Sequence, residues 1–78
     1  MKSVILYSKI DCPICEEAKQ LILTLKDAYS FTLDEVDIYK DDLLLEKYQL
    51  MIPVVEIDCN EVDFGQIELG KIINALSS

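Results

Sequence analysis

The chain has 78 residues, so a single domain (residues 1–78) with one hydrophobic core is expected. Apolar residues make up 51% and charged residues 28%, the balance of a soluble globular protein, which excludes a disordered tail. Fifteen acids against seven bases give a formal net charge of -8, which repels a phosphate backbone and excludes counterion release as a drive toward nucleic acid.

Val4-Ile5-Leu6-Tyr7 is a continuous β-prone run and predicts a strand buried on both faces of a sheet. From Pro13 the spacing turns helical, with Ile14, Ala18, Leu21, Ile22, Leu25 and Tyr29 on one stripe; Pro13 suits a first helical position and puts Asp11 or Cys12 just before the first turn. Phe31, Leu33, Val36 and Ile38 predict a second strand whose alternation slips at Asp34-Glu35, as at a bulge. Asp41-Asp42 resembles a cap for a short helix carrying Leu44, Leu45 and Tyr48, and Leu43-Leu44-Leu45 is read as core. Residues 53–57 and 61–64 flank Asp58-Cys59-Asn60 as a hairpin, and Leu69, Ile72, Ile73 and Leu76 repeat at helical spacing. The order is βαβαββα. Its βαβ half requires parallel strands and its hairpin half antiparallel ones, so the sheet is mixed, with helices on its faces.

The opening Met1-Lys2-Ser3-Val4-Ile5-Leu6-Tyr7 is too short for a signal-peptide core, and no later segment could span a bilayer, so a cytoplasmic protein without membrane partners is expected. In that compartment a close cysteine pair is redox-active or metal-binding more often than structural. Cys12-Pro13-Ile14-Cys15 falls at the junction of first strand and long helix, where α/β folds carry their sites. Free amides and the positive end of the helix dipole stabilise an anion there, which makes Cys12 the candidate nucleophile. Lys9 adds a cation, while Asp11, Glu16 and Glu17 oppose it, so a moderate lowering of the thiol's proton affinity is expected. Cys15, one turn further in, is placed to resolve a mixed disulfide.

Tyr7-Ser8-Lys9-Ile10-Asp11-Cys12-Pro13-Ile14-Cys15 resembles the active-site segment of dithiol glutaredoxins, and Ile52-Pro53-Val54-Val55 resembles the cis-proline segment of the thioredoxin superfamily. Val36-Asp37-Ile38, Lys47-Tyr48 and Ile57-Asp58 extend the likeness to small bacterial glutaredoxin-like proteins over nearly the whole chain. The resemblance implies a thioredoxin fold, with a four-stranded mixed sheet and three helices. It implies that Cys12 attacks a substrate disulfide, that Cys15 releases the product, and that Pro53 is cis and faces the cysteines. The backbone of Ile52 would pair with a bound peptide or glutathione, with Tyr7 and Gly65 also on the substrate side. Met51-Ile52 stands where the family usually has Thr-Val, and Phe64-Gly65-Gln66 where it has Gly-Gly followed by Asp.

The expected function is therefore a thiol-disulfide oxidoreductase, acting as a monomer on a disulfide-containing protein or a glutathione mixed disulfide. A thiol reductant or reductase would restore it, with no tightly bound cofactor and glutathione as a co-substrate. Two other readings stay open: a non-catalytic thioredoxin-like binding module, and a metal or iron-sulfur site on the same cysteines. Against zinc, only Cys59 and no His remain to complete a tetrahedron. Cys59 itself is read as an exposed thiol in the hairpin turn.

Overall fold

The computed structural model describes residues 1–77. Strand β1 (Lys2–Ser8) leads to helix α1 (Pro13–Leu23), β2 (Phe31–Asp37), α2 (Asp42–Tyr48), β3 (Val54–Ile57), β4 (Asn60–Phe64) and α3 (Leu69–Ser77). The sheet order is β2-β1-β3-β4, with β2 parallel to β1 and both β1–β3 and β3–β4 antiparallel. The expected element order and mixed sheet are both present.

Two apolar layers hold the sheet. On one face Val4, Leu6, Val55 and Ile57 pack with Ala18 and Ile22 of α1 and Ile72 and Leu76 of α3. On the other, Tyr7 and Val54 pack with Ile38 and with Tyr48 of α2. Alternation along β1 and β3 explains this division, since neighbouring residues point to opposite faces. Strand β1 is not fully buried on both faces: Val4 and Leu6 are sealed, whereas Ile5 and Tyr7 are half-buried.

Three further expectations need correction. The slip at Asp34-Glu35 is not a bulge, because β2 pairs with β1 in unbroken register from Lys2–Phe31 to Ser8–Asp37. Instead the buried face changes: Phe31 and Leu33 join the α1 layer, while Ile38, already in a 3-10 turn (Ile38–Lys40), joins the α2 layer. The irregularity lies between β3 and β4, where Val55 faces Asp63 and Glu56 faces Glu61, leaving Val62 as the extra residue. The long helix stops at Leu23 and tightens into a 3-10 turn (Thr24–Asp27); Ala18, Ile22 and Leu25 are core, but Ile14 is 52% exposed. In α2, Leu44 and Leu45 pack against the second layer while Leu43 is 77% exposed. Asp41 caps this helix as expected, accepting from the amides of Leu43 and Leu44.

Candidate active site

The central strand β1 ends at Ser8, and a four-residue loop carries the chain to α1. Asp11 turns that loop with φ 57°, a conformation Asp tolerates better than most residues. Cys12 follows as the N-cap of α1 with extended backbone (φ -112°, ψ 102°), and Pro13 takes the first helical position, where its missing N–H costs nothing. The Cys15 amide, one of the orphan donors of the first turn, donates to Cys12 Sγ at 3.3 Å. The Cys12 carbonyl accepts from the Glu16 amide at 3.0 Å. Cys12 and Cys15 are joined in a disulfide, with Cα atoms 5.2 Å apart. Cys12 is 9% exposed and Cys15 2%, so the second sulfur lies deeper than the first.

Both cysteines, Pro13 and Lys9 line a cavity of about 690 Å³. Four polar residues there were not singled out from the sequence: Ser8, Glu35, Asp37 and Lys40. Ser8 is buried and donates to Glu35 at 3.3 Å, while Lys19 pairs with the same carboxylate at 3.5 Å. Asp37 accepts from the Tyr39 amide and so caps the 3-10 turn that presents Lys40. A signal for them existed. Parallel pairing in a βαβ unit sets Asp37 beside Ser8, at the end of β1 from which the cysteine loop departs.

The other expected substrate residues lie on neighbouring segments, outside the lining of that cavity. Val54 pairs with Tyr7, so Pro53 sits one residue beyond, at the same end of the sheet as the cysteine loop. The Ile52–Pro53 bond is cis. Gly65, with φ 71°, donates its amide to the carbonyls of Met51 (3.0 Å) and Pro53 (2.8 Å), tying the proline segment to the end of β4. Gly65 also lines a second cavity of about 300 Å³ with Ile14, Leu21 and Ile67. The Tyr7 ring turns to the α2 face, 4.8 Å from the Tyr48 ring centroid, with its hydroxyl donating to Glu56 at 3.4 Å. Burial and then the Glu56 charge raise the Tyr7 phenol above its ordinary pKa. Tyr48 is raised by burial, and its hydroxyl donates to Glu61, whose own pKa is lowered by that bond and by Lys47.

A sheet of order β2-β1-β3-β4 flanked by three helices, with a disulfide at the N-terminus of the first, is a thioredoxin fold. Solved structures agree. A protein from Nitrosomonas europaea, Ne2328, superposes with a TM-score of 0.87 at 21% identity, covering 96% of this chain and 91% of that one. A structural-genomics target from X. campestris, XcR50, gives 0.72 at 27% identity, covering 95% of each chain. A thioredoxin variant from Halobacterium salinarum gives 0.70 at 14% identity, covering 97% of this chain and 72% of that one. The model of the glutaredoxin-like domain family (DUF836) matches residues 3–77, and the chain belongs to that family. Among the described residues no helix is long and apolar enough to cross a membrane, and no three His, Cys, Asp or Glu side chains group as a metal site.

Proposed function

We propose that the protein is a thiol-disulfide oxidoreductase working through Cys12 and Cys15. The observation that carries this reading is the placement of Cys12 as helix cap, its sulfur accepting the Cys15 amide while bonded to the Cys15 sulfur. In the reduced protein the same amide and the helix dipole favour a Cys12 thiolate. That thiolate attacks one sulfur of a client disulfide, forming a mixed disulfide and expelling the other client sulfur, which takes up a proton. Cys15 then loses its proton and attacks Cys12 Sγ, forming the Cys12–Cys15 disulfide and releasing the second client thiol. Two electrons pass from the protein to the client. An external thiol such as glutathione, or a reductase, returns the protein to the dithiol.

Pro13 holds the cysteine loop in helical register, and Lys9 supplies positive charge in the cavity. The Ile52–Pro53 segment, braced by Gly65, offers backbone at the same end of the sheet for an incoming chain. The protein is proposed to act as a cytoplasmic monomer without a bound cofactor.

Parallel turnover assays test this, one with a glutathione mixed disulfide and one with a thioredoxin reductase, on the wild type, Cys12→Ser and Cys15→Ser. Retention of deglutathionylating activity by Cys15→Ser, with no reductase coupling in the wild type, gives a glutaredoxin. The reverse gives a thioredoxin. Inactivity of the wild type in both would refute the assignment.

A further inference from the structure

The charges around the dithiol are unequal. Asp11, Glu16, Glu35 and Asp37 line the cysteine cavity against Lys9 and Lys40. Exposed Glu17, Asp41 and Asp42 lie within two chain steps of these residues, at about 3.8 Å per step. The remaining positive charge is engaged elsewhere: Lys2, Lys47 and Lys71 pair with Asp58, Glu61 and Asp63, and Lys26 bonds the Phe31 carbonyl. Lys19 matches only Glu35. Seven of the chain's fifteen acids thus lie at the dithiol end with three lysines, inside a protein of net charge -8.

A second feature concerns the size of the client. Ile10 and Ile14 bracket Cys12 in sequence and are 72% and 52% exposed. Such apolar surface beside a reacting sulfur is covered by a polypeptide and left bare by a small thiol.

From these observations, and resting on the oxidoreductase reading above, we infer that the client is a protein segment whose disulfide cysteine is flanked by lysine or arginine. Its positive charge is drawn to Asp11, Glu16 and Asp37, whereas an anionic mixed disulfide is repelled during approach. The reaction is the exchange already described: the client disulfide is reduced to two thiols as the protein dithiol is oxidised to Cys12–Cys15.

Two synthetic peptides test it, identical in length and internal disulfide, one with lysines and one with glutamates beside the cysteines. Their reduction rates by the reduced protein are divided by their rates with a small neutral dithiol, which removes intrinsic differences in reactivity. The lysine peptide is expected to be favoured by about tenfold or more in about 0.01 M salt, and the preference to shrink severalfold in about 1 M salt, where the screening length is short. The double variant Glu16→Gln with Asp37→Asn is expected to lose most of the low-salt preference while still reducing the lysine peptide. A normalised ratio of one or less, or a ratio indifferent to salt, would overturn the inference and leave the oxidoreductase reading standing. Reduction of neither peptide would overturn both.

Discussion

The two ends of the sheet carry cysteines in opposite settings. At the end where β1 feeds α1, Cys12 has extended backbone, caps a helix and is covered, with Cys15 bonded behind it. At the other end Cys59 sits in the two-residue turn between β3 and β4, exposed and unpaired, with φ 69°. One sulfur faces helix amides and the other faces water, so the fold and not the residue type sets the two thiols apart. A parallel contrast runs along β4, where the turn at one end holds Cys59 at φ 69° and the segment after the other holds Gly65 at φ 71°. Nearly the same backbone angle is met by glycine where it braces Pro53 and by cysteine where it does not.

The largest effect should come from exchanging sulfurs for oxygens. Cys12→Ser should lower disulfide turnover by roughly a thousandfold or more, while Cys59→Ser stays within about twofold of the wild type, in a steady-state assay with any accepted disulfide. Comparable losses at both positions would erase the distinction between the two ends.

Asp63 carries the next effect, because it secures the end of β4 to α3. Its carboxylate is buried, accepts from the amides of Phe64 (2.9 Å) and Glu68 (2.8 Å) and pairs with Lys71 at 3.6 Å. Asp63→Ala leaves those amides without their acceptor and should cost about 1–3 kcal/mol by urea denaturation.

The glycine and cysteine turns should respond with opposite signs. Gly65→Ala should destabilise by about 1–2 kcal/mol through backbone strain alone, since no atom beyond its two chain neighbours lies within 4 Å of an added Cβ. Cys59→Gly removes the corresponding strain and should stabilise by less than about 1 kcal/mol, part of the gain being offset by glycine's entropy when unfolded. Matching signs in chemical denaturation would show that φ does not govern these sites.

The smallest effect is one of pH and belongs to the hairpin end. Asp58 accepts from the Ser3 amide at 2.9 Å and pairs with Lys2, and the first of these contacts chiefly lowers its pKa from 3.8. A carboxylate depressed on folding contributes stability that is present above its unfolded pKa and lost as pH falls through the folded value. Stability of the wild type should therefore fall below about pH 3.8 more steeply than that of Asp58→Asn, in urea midpoints taken across the acid range.

Much of this arrangement was legible in the chain itself. The apolar run before Cys12, the proline after it and the helical stripe through Ala18 and Ile22 specify strand, cap and helix by local rules that tertiary packing reinforces. The hairpin was readable because Asp58-Cys59-Asn60 interrupts two β-prone runs, although Asn60 itself opens β4. What escaped depends on partners distant in sequence. The change of buried face from β2 into the 3-10 turn follows from Leu33 packing on the first apolar layer and Ile38 on the second, which alternation within one strand cannot reveal. Glu35, Asp37 and Lys40 joined the cysteine cavity only through parallel pairing of β2 with β1. Ile14 looked like core on its stripe, yet it lies in the first turn of α1, past the edge of the sheet's apolar layer.

The account stands on the charge state of one sulfur at a helix end. Ultraviolet absorbance of the thiolate against pH, on a reduced Cys15→Ser, Cys59→Ser protein in which only Cys12 remains, measures it directly. A midpoint clearly below that of free cysteine, about 8.5, is the predicted result. A midpoint at or above that value would contradict the claim that the amides and dipole of α1 activate Cys12.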